Sequence, residues 1–281
     1  MVRSGGPWSV FHEVSSMMKL RWFCLSLVLF GALALHAEDW RRDFTVGAHP
    51  LLRVQTNDAS IQVRGDGGNT ISVRVAAQGW HVAPGEVSVV AQQNGDEVVL
   101  RIKVPEHSFH FAFGSGGRSA QAEIIVPQNT SLDIATSDGS LRISGLKGEA
   151  RLNSSDGSIK IDNFDGTLRA HTSDGSIAAA GRFGLLDLNS SDGSITVDVW
   201  RGSQMAADWN LRTSDGSIRL RLPTDFSASL DAWTSDGHID LQLPLEVIGQ
   251  VEKNRVRGKL HGGGHSIQVH TSDGSITLGS L

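Results

Sequence analysis

The sequence predicts an all-β protein: a parallel β-solenoid, single-stranded and β-helix-like, of coils about 18 residues long, with an irregular β-rich N-terminal part. Three observations predict it. The phrase TSDGSI stands at 172–177, 213–218 and 271–276, with near copies at 136–141, 154–159, 190–195 and 234–239. The aspartates of the first four copies, Asp138, Asp156, Asp174 and Asp192, lie 18 residues apart, and a fixed period near 20 marks stacked repeats. Apolar residues alternate with period two nearly everywhere, and no long stretch carries them at helical spacing.

Each repeat divides into two short strands around the Asp. Three and five residues after it stand Leu141 and Ile143, Ile159 and Ile161, Ile177 and Ala179, Ile195 and Val197, Ile218 and Leu220. Four and six residues before it stand Ile134 and Leu132, Leu152 and Ala150, Ala170 and Leu168, Leu188 and Leu186, Leu211 and Trp209. Residues two apart on a strand share a face, so these are inward columns. The residues between them, such as Arg142, Lys160, Arg151 and Asp187, point to solvent. Two inward residues per strand cannot bury a core alone, whereas stacked coils turn each column into a continuous ladder. An antiparallel meander of 18-residue hairpins is the alternative, but it does not require every corner to be chemically alike.

The corners are therefore expected at Asp138-Gly139, Asp156-Gly157, Asp174-Gly175, Asp192-Gly193, Asp215-Gly216, Asp236-Gly237 and Asp273-Gly274. Glycine there supplies positive φ, and aspartate bonds the backbone ahead of it as an Asx-turn. The preceding Ser/Thr pair offers hydroxyl ladders between levels. A second corner is marked by Gly145 to Gly148, Asn163 to Gly166 and Gly181 to Gly184. The later Asp steps are 23, 21 and 37 residues, the last spanning about two periods with an inserted charged hairpin over 245–265. A row of carboxylates about 4.8 Å apart repels itself, which keeps a calcium-stabilised β-roll as one alternative. Each turn brings only one carboxylate, and the GGxGxD calcium repeat is absent.

Residues 38–130 form the β-rich N-terminal part and 131–281 the repeat proper. Leu52 to Val63 reads as a degenerate first copy, and this part is expected to cover the open edge of the first coil. Phe109, Phe111 and Phe113 share one face if extended; they read as an edge-covering strand or as an aromatic contact surface.

Residues 1–37 read as a signal peptide, with the true start at Met17 or Met18. Lys19 and Arg21 precede an apolar run from Trp22 to Leu35, and Leu35-His36-Ala37 comes just before a polar switch. Cys24, the one cysteine, lies inside that run. The chain from Glu38 then has no thiol and no transmembrane segment, and the expected location is periplasmic or extracellular. Its 22 Lys+Arg (25 less Arg3, Lys19 and Arg21) against 29 Asp+Glu (30 less Glu13) give a net charge of −7. That argues against a basic nucleic-acid surface.

The sequence carries no recognisable catalytic constellation. His261-Gly262-Gly263-Gly264 imitates an oxyanion loop, but no GxSxG nucleophile exists. His261, His265 and His270 surround a glycine turn with no helix to align them on a metal. A carbohydrate-active β-helix protein, the other alternative, needs unrepeated acids in a cleft and aromatic platforms. Here the acids are repeated turn residues, and Trp200 and Trp233 are the only plausible platforms. No catalytic residue, metal ligand or cofactor is assigned.

The stretch IIVPQNTSLDIATSDGSLRISGLKGEARLNSSDGSIKI (124–161) resembles the DUF4097 family of β-strand-repeat proteins, labelled adhesins by analogy. LRLPTDFSASLDAWTSDGHIDL (220–241) repeats its proline-led strand start. GKLHGGGHSIQVHTSDGSITL (258–278) resembles its closing NGGG element, with His261 in place of Asn. The resemblance spans about residues 40–281. It implies a non-enzymatic, adhesin-like structural or binding role at a bacterial envelope, towards an unnamed protein or glycan.

Overall fold

A computed structural model describes residues 39–83, 85–105, 119–247 and 252–281. The signal-peptide reading, Phe109 to Phe113 and part of the 245–265 insertion lie outside them. Every regular element among the described residues is a β-strand. In chain order they are β1 (Trp40–Thr45), β2 (Leu51–Thr56), β3 (Ser60–Asp66), β4 (Thr70–Gln78), β5 (Ser88–Asn94), β6 (Glu97–Lys103) and β7 (Ser119–Pro127). Next come β8 (Ser131–Ala135), β9 (Leu141–Ser144), β10 (Lys147–Asn153), β11 (Ile159–Thr172), β12 (Ile177–Ser190), β13 (Ile195–Val199) and β14 (Trp209–Arg212). The last are β15 (Ile218–Leu222), β16 (Ala228–Thr234), β17 (Ile239–Leu241), β18 (Glu246–Val247), β19 (Arg255–Leu260), β20 (Ser266–Thr271) and β21 (Ile276–Ser280).

The strands join into one sheet that wraps into a solenoid-like shape. Its central ladders are parallel and in register with the repeat. Ile159 pairs with Leu141 on one side and with Ile177 on the other, and Ile177 pairs with Ile195. Across the corner, Leu152 lies between Ile134 and Ala170. Like residues thus stack on like, and the inward columns are buried from Leu132 to Leu222. Alternation along each strand decides this: one face must be dry, and a one-residue slip would expose the whole set.

The order of levels departs from the order of the chain at both ends. The β2–β3 level sits between β8–β9 and β6–β7, so the second N-terminal pair lies outside the first. At the far end β20 pairs with β14 and β16, and β21 with β15 and β17. The last repeat in sequence is therefore the penultimate level in space. This corrects the expectation that the 37-residue step spans two stacked periods. The step leaves the stack through β18 and β19, which run antiparallel, and β20 then returns between two levels already named. At the other end β4 and β5 run antiparallel on β7 and β6. β1 pairs antiparallel on β4, and the edge strands β1 and β5 meet: Arg42 Nη1 donates to the Ala91 carbonyl and Gln93 Nε2 to that of Thr45.

Candidate functional site: the SDG corner ridge

The repeated corner is built by its first letter. Thr172 is fully buried. Its Oγ1 accepts the Gly175 amide at 3.2 Å within its own turn. The same hydroxyl lies 3.0 Å from the Ser155 carbonyl and 3.2 Å from the Gly157 carbonyl, one level away, and shares its proton between them. Ser190, Thr213, Thr271 and Thr234 repeat the arrangement on Ser173 and Gly175, Ser191 and Gly193, Ser214 and Gly216, and Ser272 and Gly274. The backbone joins in: the amides of Ser173 and Asp174 both donate to the Ser155 carbonyl at 2.9 Å. Among the described residues every buried Ser or Thr hydroxyl at the corner thereby finds a partner, as burial requires.

This corrects two expectations about the corner. The repeat glycines do not adopt positive φ. They are glycine because the levels approach too closely for a side chain. A Cβ on Gly157, Gly175, Gly193 or Gly274 would stand 2.0–2.2 Å from the carbonyl oxygen of the glycine in the level it stacks on. Nor is the aspartate the capping group: among the described residues no hydrogen bond ends on the carboxylates of the repeat aspartates, and the Ser/Thr hydroxyl does that work. Asp138, Asp156, Asp174, Asp192, Asp215, Asp273 and Asp236 are exposed, in that spatial order. They form a ridge whose polypeptide scaffold is fixed and whose side chains face water.

Positive φ belongs to the opposite corner: Gly145 (70°), Asn163 (50°), Gly148 (125°) and Gly166 (145°). Between those turns an aromatic column fills the interior. Phe164 stacks on Phe183 at 6.2 Å, Phe183 meets Trp209 edge-on at 6.5 Å, and Trp209 lies 5.4 Å from Phe226. Trp209 Nε1 donates to the Gly184 carbonyl, so the indole is satisfied as well as buried.

The remaining candidates separate. Trp233 is no open platform: His270 stacks on its ring at 4.5 Å and the Arg255 guanidinium lies 5.5 Å from the ring centre. Trp200 is half-buried. The histidines do not converge. His261 Nδ1 faces the Phe226 carbonyl, His270 Nδ1 that of Trp233, and His265 Nδ1 lies 3.4 Å from Asp208. Among the described residues no three of His, Cys, Asp and Glu gather at a metal-sized site. Beside the ridge runs an open groove of about 490 Å³, floored by the strands that follow the corner and lined by Ser140, Ser158, Ser176, Arg142 and Lys160. Sequence reading placed Arg142 and Lys160 on the solvent face but had no signal for the groove, which the small Ala178 also lines.

Parallel strand ladders in one wrapped sheet, with a hydroxyl-glycine ladder at one corner, define an all-β repeat protein. The Toastrack DUF4097 family model matches residues 128–279, and the chain belongs to that family. A comparison with curated proteins finds no match. Among solved structures the chain is similar to a candidate cell adhesion protein of Clostridium sporogenes ATCC 15579, at 10% identity over 87% of this chain and 100% of that one, TM-score 0.38. It is similar to a candidate adhesin of Bacteroides fragilis NCTC 9343, at 12% identity over 87% and 97%, TM-score 0.34. A candidate lipid binding protein of Parabacteroides distasonis ATCC 8503 matches at 11% identity over 86% and 97%, TM-score 0.39. At these scores the likenesses carry no argument about function.

Proposed function

We propose that the chain is an exported, non-enzymatic β-repeat protein with an adhesin-like structural or binding role at a bacterial envelope. The observation that carries the reading is the ridge: exposed Ser and Asp side chains repeated at each level of the central stack, on corners whose hydroxyls, amides and carbonyls are bonded to one another. Such a surface presents an extended array and not a single cleft. The acids stand one per level along a line, whereas glycoside chemistry needs two carboxylates facing each other across a sugar. Family membership and the n-region, apolar run and Ala37 junction at 1–37 support export. In this reading the stack is a parallel β-solenoid with coils near 18 residues, and the Asp-Gly pairs are structural corners.

The experiment is fractionation of producing cells with N-terminal sequencing of the recovered chain, followed by sedimentation of the pure protein with isolated envelope fragments. The reading expects a chain starting at about residue 38 outside the cytoplasm that co-sediments with the fragments. A cytoplasmic chain with residues 1–37 intact would sink it.

A further inference from the structure

We propose that the groove beside the corner ridge binds an acidic glycan, a chain of sugars carrying carboxylates. Arg142 and Lys160 are direct partners on adjacent parallel strands and both are exposed on the same side. Among the described residues neither has a carboxylate partner. Like charges set opposite each other on neighbouring strands repel, and the chain carries this pair despite its net negative charge. The pair is set in the groove, with Ser140, Ser158 and Ser176 in one row along its floor. A bound carboxylate would remove the repulsion and accept charge-assisted hydrogen bonds from both cations.

The rest of the groove fits sugar better than a bare anion. The serine hydroxyls both donate and accept. The carboxylates of Asp138, Asp156 and Asp174, exposed one residue beyond the corner glycines, can accept from sugar hydroxyls. An isolated phosphate can meet the two cations but cannot at the same time span the serine row and those aspartates. Levels repeat at about 4.8 Å, close to the length of one pyranose unit, so successive sugars can meet successive levels. This inference rests on the binding role proposed above for where such a glycan is met, but the site itself stands on the groove.

The test uses the full-length chain and oligogalacturonate, titrated calorimetrically at low ionic strength. We expect saturable binding that weakens at least tenfold in the double variant Arg142→Gln, Lys160→Gln. Arg219→Gln removes an exposed cation of the same face outside the groove and should change affinity less than twofold. Methyl-esterified oligogalacturonate should not bind, and inorganic phosphate at equal concentration should not displace the ligand. Absent binding, equal weakening by Arg219→Gln, binding of the ester, or displacement by phosphate would each overturn the assignment. Circular dichroism of the variants checks that they fold. Because the titration uses pure protein, its failure is distinct from a failure of the export reading, which fractionation alone decides.

Discussion

The Cβ that Gly175 lacks would lie 2.2 Å from the carbonyl oxygen of Gly157, one level away in the stack. Backbone cannot yield as a flexible side chain does, so Gly175→Ala must push two levels apart. The expected cost is about 1–3 kcal/mol, a fall of several degrees in Tm. Gly67→Ala is the control: its site is open and its φ is not in the left-handed region, and its Tm should stay within about a degree. Equal melting of the two variants would refute the close-approach account.

The Thr172 hydroxyl serves its own turn and the next level at once. Thr172→Val keeps the shape but strands the Gly175 amide and the Gly157 carbonyl, at about 1–3 kcal/mol. Thr172→Ser keeps the hydroxyl and should be near neutral, since Ser154 and Ser190 hold the same place in other levels. Thermal denaturation of both variants separates hydroxyl from methyl.

The position of the last repeat can be read with engineered cysteines. Asn210 and Gln268 are direct partners on adjacent strands, as are Gln268 and Asp231. Asn210 and Asp231 are therefore two strands apart, about 10 Å, beyond disulfide reach. Oxidation should link Asn210→Cys to Gln268→Cys and fail to link Asn210→Cys to Asp231→Cys. The reverse result, on non-reducing gels, would restore sequence order to the stack.

Calcium should leave the melt unchanged. The carbonyls nearest the ridge are engaged inside the ladder: that of Ser155 accepts from Ser173, Asp174 and Thr172. Each carboxylate is left without the converging oxygens that calcium needs. Saturating a specific site at a hundred times its Kd would add about 2.7 kcal/mol. A rise of several degrees between EDTA and millimolar calcium would make the ridge a metal site.

Acid should weaken the N-terminal edge. Hydrogen bonds from Arg74, and next from Arg41, hold the Asp39 carboxyl below the usual carboxylate range. Arg74 Nη2 lies 2.8 Å from it, tying the residue before β1 to β4. A folded-state pKa below the unfolded one gives stability that is full above about pH 4 and lost as pH falls through the folded value. Asp39→Asn should therefore melt lower than the parent at pH 7, with the gap closing as pH falls through the folded value. A gap that persists in acid would remove the charge from the explanation.

Much of this protein was legible one residue at a time. Period two set the strands, and the spacing of Asp138, Asp156, Asp174 and Asp192 set which residues share a column. Burial of Leu152, Ile159 and Leu188 follows from these local rules, because alternation and spacing are properties of the chain itself. The corner chemistry was only half legible. The letters T, S, D and G named a turn, but propensity assigns glycine to positive φ and aspartate to capping. Both roles fell elsewhere: to the opposite corner, at Gly145 and Asn163, and to the Thr172 hydroxyl.

Tertiary structure alone decided three things. It set the order of levels, since β20 and β21 carry the same columns as β16 and β17 and could pair with β14 and β15 from either place in the chain. It made Gly175 obligatory through a carbonyl that is a neighbour only after stacking. It also brought Arg142 against Lys160 beside a row of serines. The sequence by itself determined the repeating unit, because a strand's face and a turn's place depend on residues a few positions apart. What one level meets in the next depends on contacts between distant segments, and identical repeats cannot specify those individually.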